Sequence, residues 1–175
     1  VSRAILYADG AARGNPGPAG AGAVLLGDRG EVIAELTKYL GTATNNVAEY
    51  RGLLLGLDRA RALGATEVDV VNDSELVAKQ VNGPYKVKNP ELQALHREAL
   101  RALEGFERWS VESVPREQNA AADALVNRTL DAPGDDAPTE YAGYLRIDDL
   151  LQLQHPLTPG AHDELLFVIV HQSYE

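Results

Sequence analysis

Ile5-Leu6-Tyr7-Ala8-Asp9-Gly10-Ala11-Ala12-Arg13-Gly14-Asn15-Pro16-Gly17-Pro18-Ala19-Gly20 is the stretch that decides the fold. An apolar run from Ala4 to Ala8 ends on a single carboxylate, Asp9. Glycines and prolines crowd the following positions. A second apolar run then opens at Ala21-Gly22-Ala23-Val24-Leu25-Leu26. Glycine and proline punctuate a chain, so the stretch reads as strand, tight loop, strand. On its own, an Asp-Gly at a strand end is most simply a turn residue. Three further acidic residues at the edges of other expected elements alter that reading of Asp9.

Working outward, Gly27-Asp28-Arg29-Gly30 is a turn signal, and Glu31 to Leu36 reads as a third strand, which completes an antiparallel meander. Thr44-Asn45-Asn46 supplies polar capping residues before a helix. Val47, Tyr50, Leu54, Leu57 and Ala60 keep helical spacing up to Leu63, where Gly64 stops it. Thr66 to Val71 is a short β-rich run ending at Asn72-Asp73-Ser74. Helices follow over 75–82 and 91–104, separated by the loop Gly83 to Pro90. Trp109 to Val114 is a fifth strand, and the polar loop Pro115-Arg116-Glu117-Gln118-Asn119 leads into an alanine-rich helix over 120–130. The second half has a crossover pattern that requires parallel pairing. The expected fold class is α/β: a mixed five-stranded sheet, three strands in an antiparallel meander plus two parallel strands, flanked by helices, with a C-terminal appendage.

The 175 residues suit one domain with an appendage, and 45% hydrophobic content suffices for a sizeable core. There is no cysteine, so neither a disulfide framework nor a thiolate metal site is possible; this suits a reducing, cytoplasmic compartment. No apolar run approaches the length of a membrane span, and no signal segment opens the chain, which starts at Val1. The net charge of −10 argues at first against a nucleic-acid partner. Yet the acidity is uneven. Beyond residue 131 there are 8 acidic residues and one arginine; the body before it holds the other 18 acids and 15 basic residues. The expected division is a domain over 1–131, a linker over 132–139 rich in Pro, Gly and Asp, and an appendage over 140–175. In that appendage, 144–154 has weak helical amphipathicity and 164–170 is an apolar run. Such a run needs burial against the body or a second copy, so self-association through the tail is an expectation.

Asp9 ends the first strand in this reading, Glu49 lies in the first turn of the first helix, Asp73 ends the fourth strand, and Asp123 starts the last helix. In an α/β sheet, strand ends and the helix starts that follow them meet at one rim. Four carboxylates cannot share a site as free anions, because each raises the pKa of the others. Hard divalent cations resolve the conflict. Mg²⁺ prefers oxygen ligands, and a pair of such ions activates water and stabilises a leaving oxygen in phosphodiester displacement. The lack of thiols and of paired histidines disfavours zinc or copper.

The blocks 7–17, Thr44 to Tyr50, Asn72 to Val77 and Arg116 to Leu125 together resemble type 1 ribonuclease H, in the family's order and spacing over residues 1 to about 131. The resemblance implies a ribonuclease H-like fold and an endonuclease that cuts the RNA strand of an RNA–DNA hybrid with two Mg²⁺ or Mn²⁺ ions, held by Asp9, Glu49, Asp73 and Asp123. Asn15 and Asn45, with Asn46, match positions that contact the hybrid's minor groove, where 2′-hydroxyls mark RNA. Plain helix capping is the competing role for Asn45 and Asn46, and the two can coexist. Thr44 matches a holder of DNA-strand phosphate. Glu75 stands where many members carry a groove-reading glutamine, with Gln80 as a substitute further along the helix. Gly10 and Ala11 carry little or no side chain, so RNA backbone can approach them. Lys79, Lys86 and Lys88 are candidate phosphate contacts, although each alone is equally a solvated surface charge. Many members carry a histidine in the loop before the last helix. This chain has none there, and Arg116 or Glu117 is the candidate substitute. Double-stranded RNA is a further candidate substrate. The alternative is a hybrid- or double-stranded-RNA-binding module with weak or no turnover; the missing histidine favours it and the four acids oppose it. The segments 140–157 and 163–172 resemble instead the amino-terminal part of tryptophan 2,3-dioxygenase. The haem-ligating histidine of that family lies in sequence this chain lacks, so no haem pocket follows, and the tail reads as a fusion remnant, a truncated neighbour or a segment reused for packing.

Overall fold

The computed structural model describes residues 1–133 and a two-residue strand, Thr139–Glu140. The chain divides into two units, Val1–Pro138 and Thr139–Glu175. The expected helix over 144–154 and the apolar run 164–170 lie outside the described residues, as does most of the expected linker.

The first unit runs β1 (Arg3–Ala12), β2 (Gly17–Leu26), β3 (Val32–Ala43), α1 (Asn45–Ala62), β4 (Glu67–Asn72), α2 (Glu75–Val81), α3 (Pro90–Glu104), β5 (Arg108–Ser113), a 3-10 turn (Arg116–Asn119) and α4 (Ala120–Asp131). Its strands lie in the order β5-β4-β1-β2-β3. β1, β2 and β3 pair antiparallel, whereas β4 pairs parallel to β1 and β5 parallel to β4. This is the mixed sheet that the meander and crossover pattern require.

Residues alternate between the two faces of a strand. Leu6, Ala8, Ala23, Leu25, Ala34 and Leu36 are buried on one face in a cluster with Tyr50, Leu53 and Leu57 of α1. On the other face, Gly20 and Gly22 lie against Thr129, Leu130, Leu125 and Val126 of α4. α1 approaches β1 closely because it presents glycine there. A Cβ on Gly52 would lie 2.2 Å from the Asp9 carbonyl oxygen, and one on Gly56 2.1 Å from Leu6. Gly10 makes the reciprocal fit, since a Cβ there would lie 2.0 Å from the Ala48 carbonyl oxygen.

Helix starts follow their caps. Thr44 Oγ1 accepts a hydrogen bond from the Val47 N–H at 3.3 Å, and Ser74 Oγ accepts from Val77 N–H at 3.3 Å. Asn89 Oδ1 accepts from both Glu91 and Leu92 N–H, with Pro90 opening α3. Gly64, at φ 84°, supplies the left-handed turn after α1.

Two boundaries differ from expectation in ways that bear on the site. Asp9 does not end β1. The strand continues through Gly10-Ala11-Ala12, because these residues pair with Ala21, Gly20 and Ala19 of β2 although they carry little apolar bulk. The parallel ladder with β4, by contrast, stops at Tyr7↔Val71. Asp9 therefore sits beyond the point where β4 parts from β1, with that edge of its strand free of ladder pairing. Likewise β3 runs on to Ala43 through Lys38, Gly41 and Thr42, past a register shift opposite Ala19 and Gly20 that the polar composition does not announce.

Candidate metal centre

Three carboxylates converge where β4 leaves β1. Asp9 comes from β1, Glu49 from α1, and Asp73 from the turn directly after β4; one oxygen of each lies within 4.8 Å of one of each other. Each is delivered by a different element. Asp9 is fixed by the β1–β2 ladder. Glu49 is brought in by the glycine contact of α1 on β1, which places the backbone of Glu49 against Gly10. It occupies the second turn of α1 rather than the first, because the helix starts at Asn45, two residues before the apolar periodicity does.

Asp9 and Glu49 are buried, 3% and 8% exposed. The Gly10 N–H donates to Asp9 Oδ1 at 2.9 Å. Asp9 Oδ2 and Glu49 Oε2, both buried, find no hydrogen-bond partner among the described residues. Burial first, and then the Asp73 carboxylate, push Asp9 up to about 8. Burial, followed by Asp9 and Asp73, pushes Glu49 up to about 9. Without a counter-charge these groups hold protons at neutral pH. Unpaired carboxylate oxygens of hard character, mutually repelling and facing one point, are the donor set that a divalent cation satisfies, so the residues present fit Mg²⁺ or Mn²⁺.

Asp123 is placed differently. It lies in the first turn of α4, near enough to add to the upward push on Asp9, but it is not one of the converging three. Arg116 Nη2 holds its Oδ1 at 2.7 Å, and Asn127 Nδ2 donates to its Oδ2 at 3.2 Å. The loop that lacks a histidine thus supplies a guanidinium to this fourth acid.

Asn15, Thr44 and Asn45 form one cluster beside the first loop. Asn15 Oδ1 accepts from the Asn45 N–H at 3.1 Å, and Asn45 Oδ1 accepts from the Ala12 N–H at 3.1 Å. Both residues are exposed; Asn46, next to Asn45 in the chain, and Ala11 are half-buried. Their carbonyl ends tie β1 to α1, while each carboxamide retains N–H donors. Gly10 is explained within the fold by α1 packing. Gln80, expected to read a groove, is instead a core residue: it is 5% exposed, its Oε1 accepts from the Tyr50 hydroxyl at 2.7 Å, and its carbonyl accepts from His96 Nε2 at 2.9 Å. Its position on the inward face of α2 outweighs its polarity. Glu75 and Lys79 pair with each other one turn apart, and Lys79 also reaches the Tyr85 hydroxyl at 3.2 Å. Lys86 and Lys88 are exposed on the loop that follows.

Sequence reasoning passed over two features. Gly52 and Gly56 were hidden in an unremarkable helical run, although their four-residue spacing marks a face for close approach. Asn119, placed by the sequence only in a polar loop, stands at the N-cap position of α4, yet makes no side-chain cap bond and is fully buried.

The chain matches the family described as reverse transcriptase-like over residues 7–129. The chain belongs to this ribonuclease H-like family. It is 48% identical over 159 residues to a bifunctional protein of Mycobacterium tuberculosis, covering 90% of this chain and 43% of that protein. It thus spans less than half the length of that relative. A crystal structure of ribonuclease H1 from Halobacterium salinarum aligns at 43% identity with a TM-score of 0.73, covering 74% of this chain and 98% of the other. LC11 ribonuclease H1, solved in complex with an RNA/DNA hybrid, aligns at 41% identity and a TM-score of 0.69, covering 73% and 96%. Separately, 36 residues are 61% identical to tryptophan 2,3-dioxygenase of Herpetosiphon aurantiacus, 14% of that protein's length. The ribonuclease H-like match spans the carboxylate cluster; the dioxygenase match is too short to carry a fold or an activity.

Proposed function

We propose that this ribonuclease H-like chain is an endonuclease that hydrolyses the RNA strand of RNA–DNA hybrids by a two-metal-ion mechanism. The observation that carries the reading is the convergence of Asp9, Glu49 and Asp73 within 4.8 Å, with buried oxygens left unpaired. A binding module gains nothing from a cluster that burial and repulsion make costly. The relative crystallised with an RNA/DNA hybrid supports the substrate class.

Asp9 and Asp73 would flank two Mg²⁺ or Mn²⁺ ions, Glu49 would hold one and orient the RNA 2′-hydroxyl or the attacking water, and Asp123 would join once Arg116 releases it. Bound there, the ions supply a lowered water pKa and charge neutralisation on the leaving oxygen. Asn15, Asn45 and Asn46 would offer N–H donors to minor-groove acceptors and 2′-hydroxyls. Thr44, Gly10 and Ala11 would serve the same approach, and Lys79, Lys86 and Lys88 would meet phosphates more distantly, with Glu75 moderating Lys79. Arg116, freed from Asp123, would neutralise a phosphate. We assign this work to residues 1–131, with 132–139 as a linker and 140–175 as a separate appendage. Among the described residues no helix is long and apolar enough to cross a membrane; a cytoplasmic location completes the reading.

The test is cleavage of an end-labelled hybrid with Mg²⁺, Mn²⁺ or chelator, beside single-stranded RNA, double-stranded RNA and DNA duplexes. Metal-dependent internal cuts in the RNA of the hybrid are expected. Tight hybrid binding without cuts would instead establish the binding module.

A further inference from the structure

Asp73 is the one of the three converging acids that lies outside a strand or helix. β4 ends at Asn72, so no ladder hydrogen bond fixes the residue after it. One side chain reaches it from a segment distant in sequence. Asn119, the last residue of the 3-10 turn, is 0% exposed. Its Nδ2 donates to the Ala8 carbonyl at 2.9 Å and lies 3.4 Å from Asp73 Oδ1. A single amide group therefore spans the residue before Asp9 and the Asp73 carboxylate. Its two N–H donors match the two acceptors.

The other end of the same amide is informative. Asn119 Oδ1 is buried and finds no partner among the described residues. A fully buried polar atom without a partner is a burden to the fold. As a plain cap Asn119 would aim that oxygen at the first N–H groups of α4, and it does not. Its donors are what its placement uses.

We propose that Asn119 is a positioning residue that orients the Asp73 carboxylate for divalent-metal binding. The inference rests on the nuclease reading above. Groups that hold metal ligands from behind typically change metal affinity by about 10- to 100-fold when lost.

The experiment is calorimetric titration of the full chain with Mn²⁺ and Mg²⁺, without nucleic acid, for the wild type, Asn119→Asp and Asn119→Ala. Circular dichroism and thermal melting of each protein check folding. Asn119→Asp keeps the shape and replaces the donor with an acceptor. Expected is a metal Kd raised about 10- to 100-fold in both variants with native secondary structure. Unchanged affinity in folded variants would overturn the proposal while leaving the nuclease reading intact. Absence of metal binding in the wild type would overturn both. Should the variants not fold, the wild type still decides: the assigned Asn119 side-chain amide resonances must exchange slowly with solvent and shift on Mg²⁺ addition with the Kd found by calorimetry. Fast exchange, or no shift, contradicts the assignment.

Discussion

The chain carries four acids from its ribonuclease H-like motifs in two contrasting settings. Asp9, Glu49 and Asp73 converge from three elements, two of them buried with unpaired oxygens and with protons held up to about 8 and about 9. Asp123 is more open, is one helical turn into α4 and is already neutralised by Arg116 at 2.7 Å. The first setting is an electrostatic debt that folding leaves standing. The second is a paired surface charge of little energetic weight. The difference teaches where a counter-charge is called for: the trio ionises fully only against a cation, whereas Asp123 already has Arg116 beside it and so suits a looser, exchangeable role.

The contrast can be broken most directly at its centre. Asp9→Asn should lower kcat for hybrid cleavage on the order of 10³-fold. It should also raise the melting temperature of the metal-free protein, because one of three repelling carboxyls is gone. Asp123→Asn should not raise it. A thermal melt beside a cleavage assay separates the two effects; equal stabilisation by both substitutions would erase the distinction between settings.

Next comes pH. Asp9 and Glu49 bind protons more tightly folded than unfolded, where ordinary carboxyls titrate near 4. The folded state thus holds extra protons from about pH 4 to the raised values of about 8 and about 9, and stability falls as pH rises through that window. Melting curves of metal-free protein from pH 5 to 9 should decline, Asp9→Asn should flatten the decline, and saturating Mg²⁺ should oppose it. A melting temperature that rises across this range without metal would contradict the burial argument.

Geometry offers a smaller lever. Gly52→Ala puts a methyl 2.2 Å from the Asp9 carbonyl oxygen, and overpacking of this kind costs about 1–3 kcal/mol, readable by urea unfolding. Because α1 must retreat, Glu49 retreats with it, and cleavage should fall more than stability alone explains. Arg116→Ala is the mildest. Loss of an exposed ion pair costs less than about 1 kcal/mol, while the metal concentration for half-maximal cleavage should shift as Asp123 is freed. No shift would confine Arg116 to surface charge.

The sequence made the strand and helix order legible because its apolar periods, caps and glycine punctuation agree. Boundaries were less so. Gly10-Ala11-Ala12 and Lys38 to Ala43 lack the apolar signal of a strand, yet ladder partners recruit them. The acids were legible as a set by their expected places at element edges and by the family resemblance. Their inequality was not, because the Arg116–Asp123 pair and the burial of Asp9 depend on packing between distant segments. Gln80 misled for the same reason: polarity suggested a surface reader, whereas the inward face of α2 and the Tyr50 hydroxyl make it part of the core.

The central claim is that the converging trio exists to hold metal against a hybrid. The decisive measurement follows an end-labelled RNA–DNA hybrid under wild-type and Asp73→Asn protein, with Mg²⁺ and with chelator. Internal cuts in the RNA strand by the wild type with Mg²⁺, and none with chelator or with Asp73→Asn, are predicted. Cutting that survives chelator or Asp73→Asn would contradict the account.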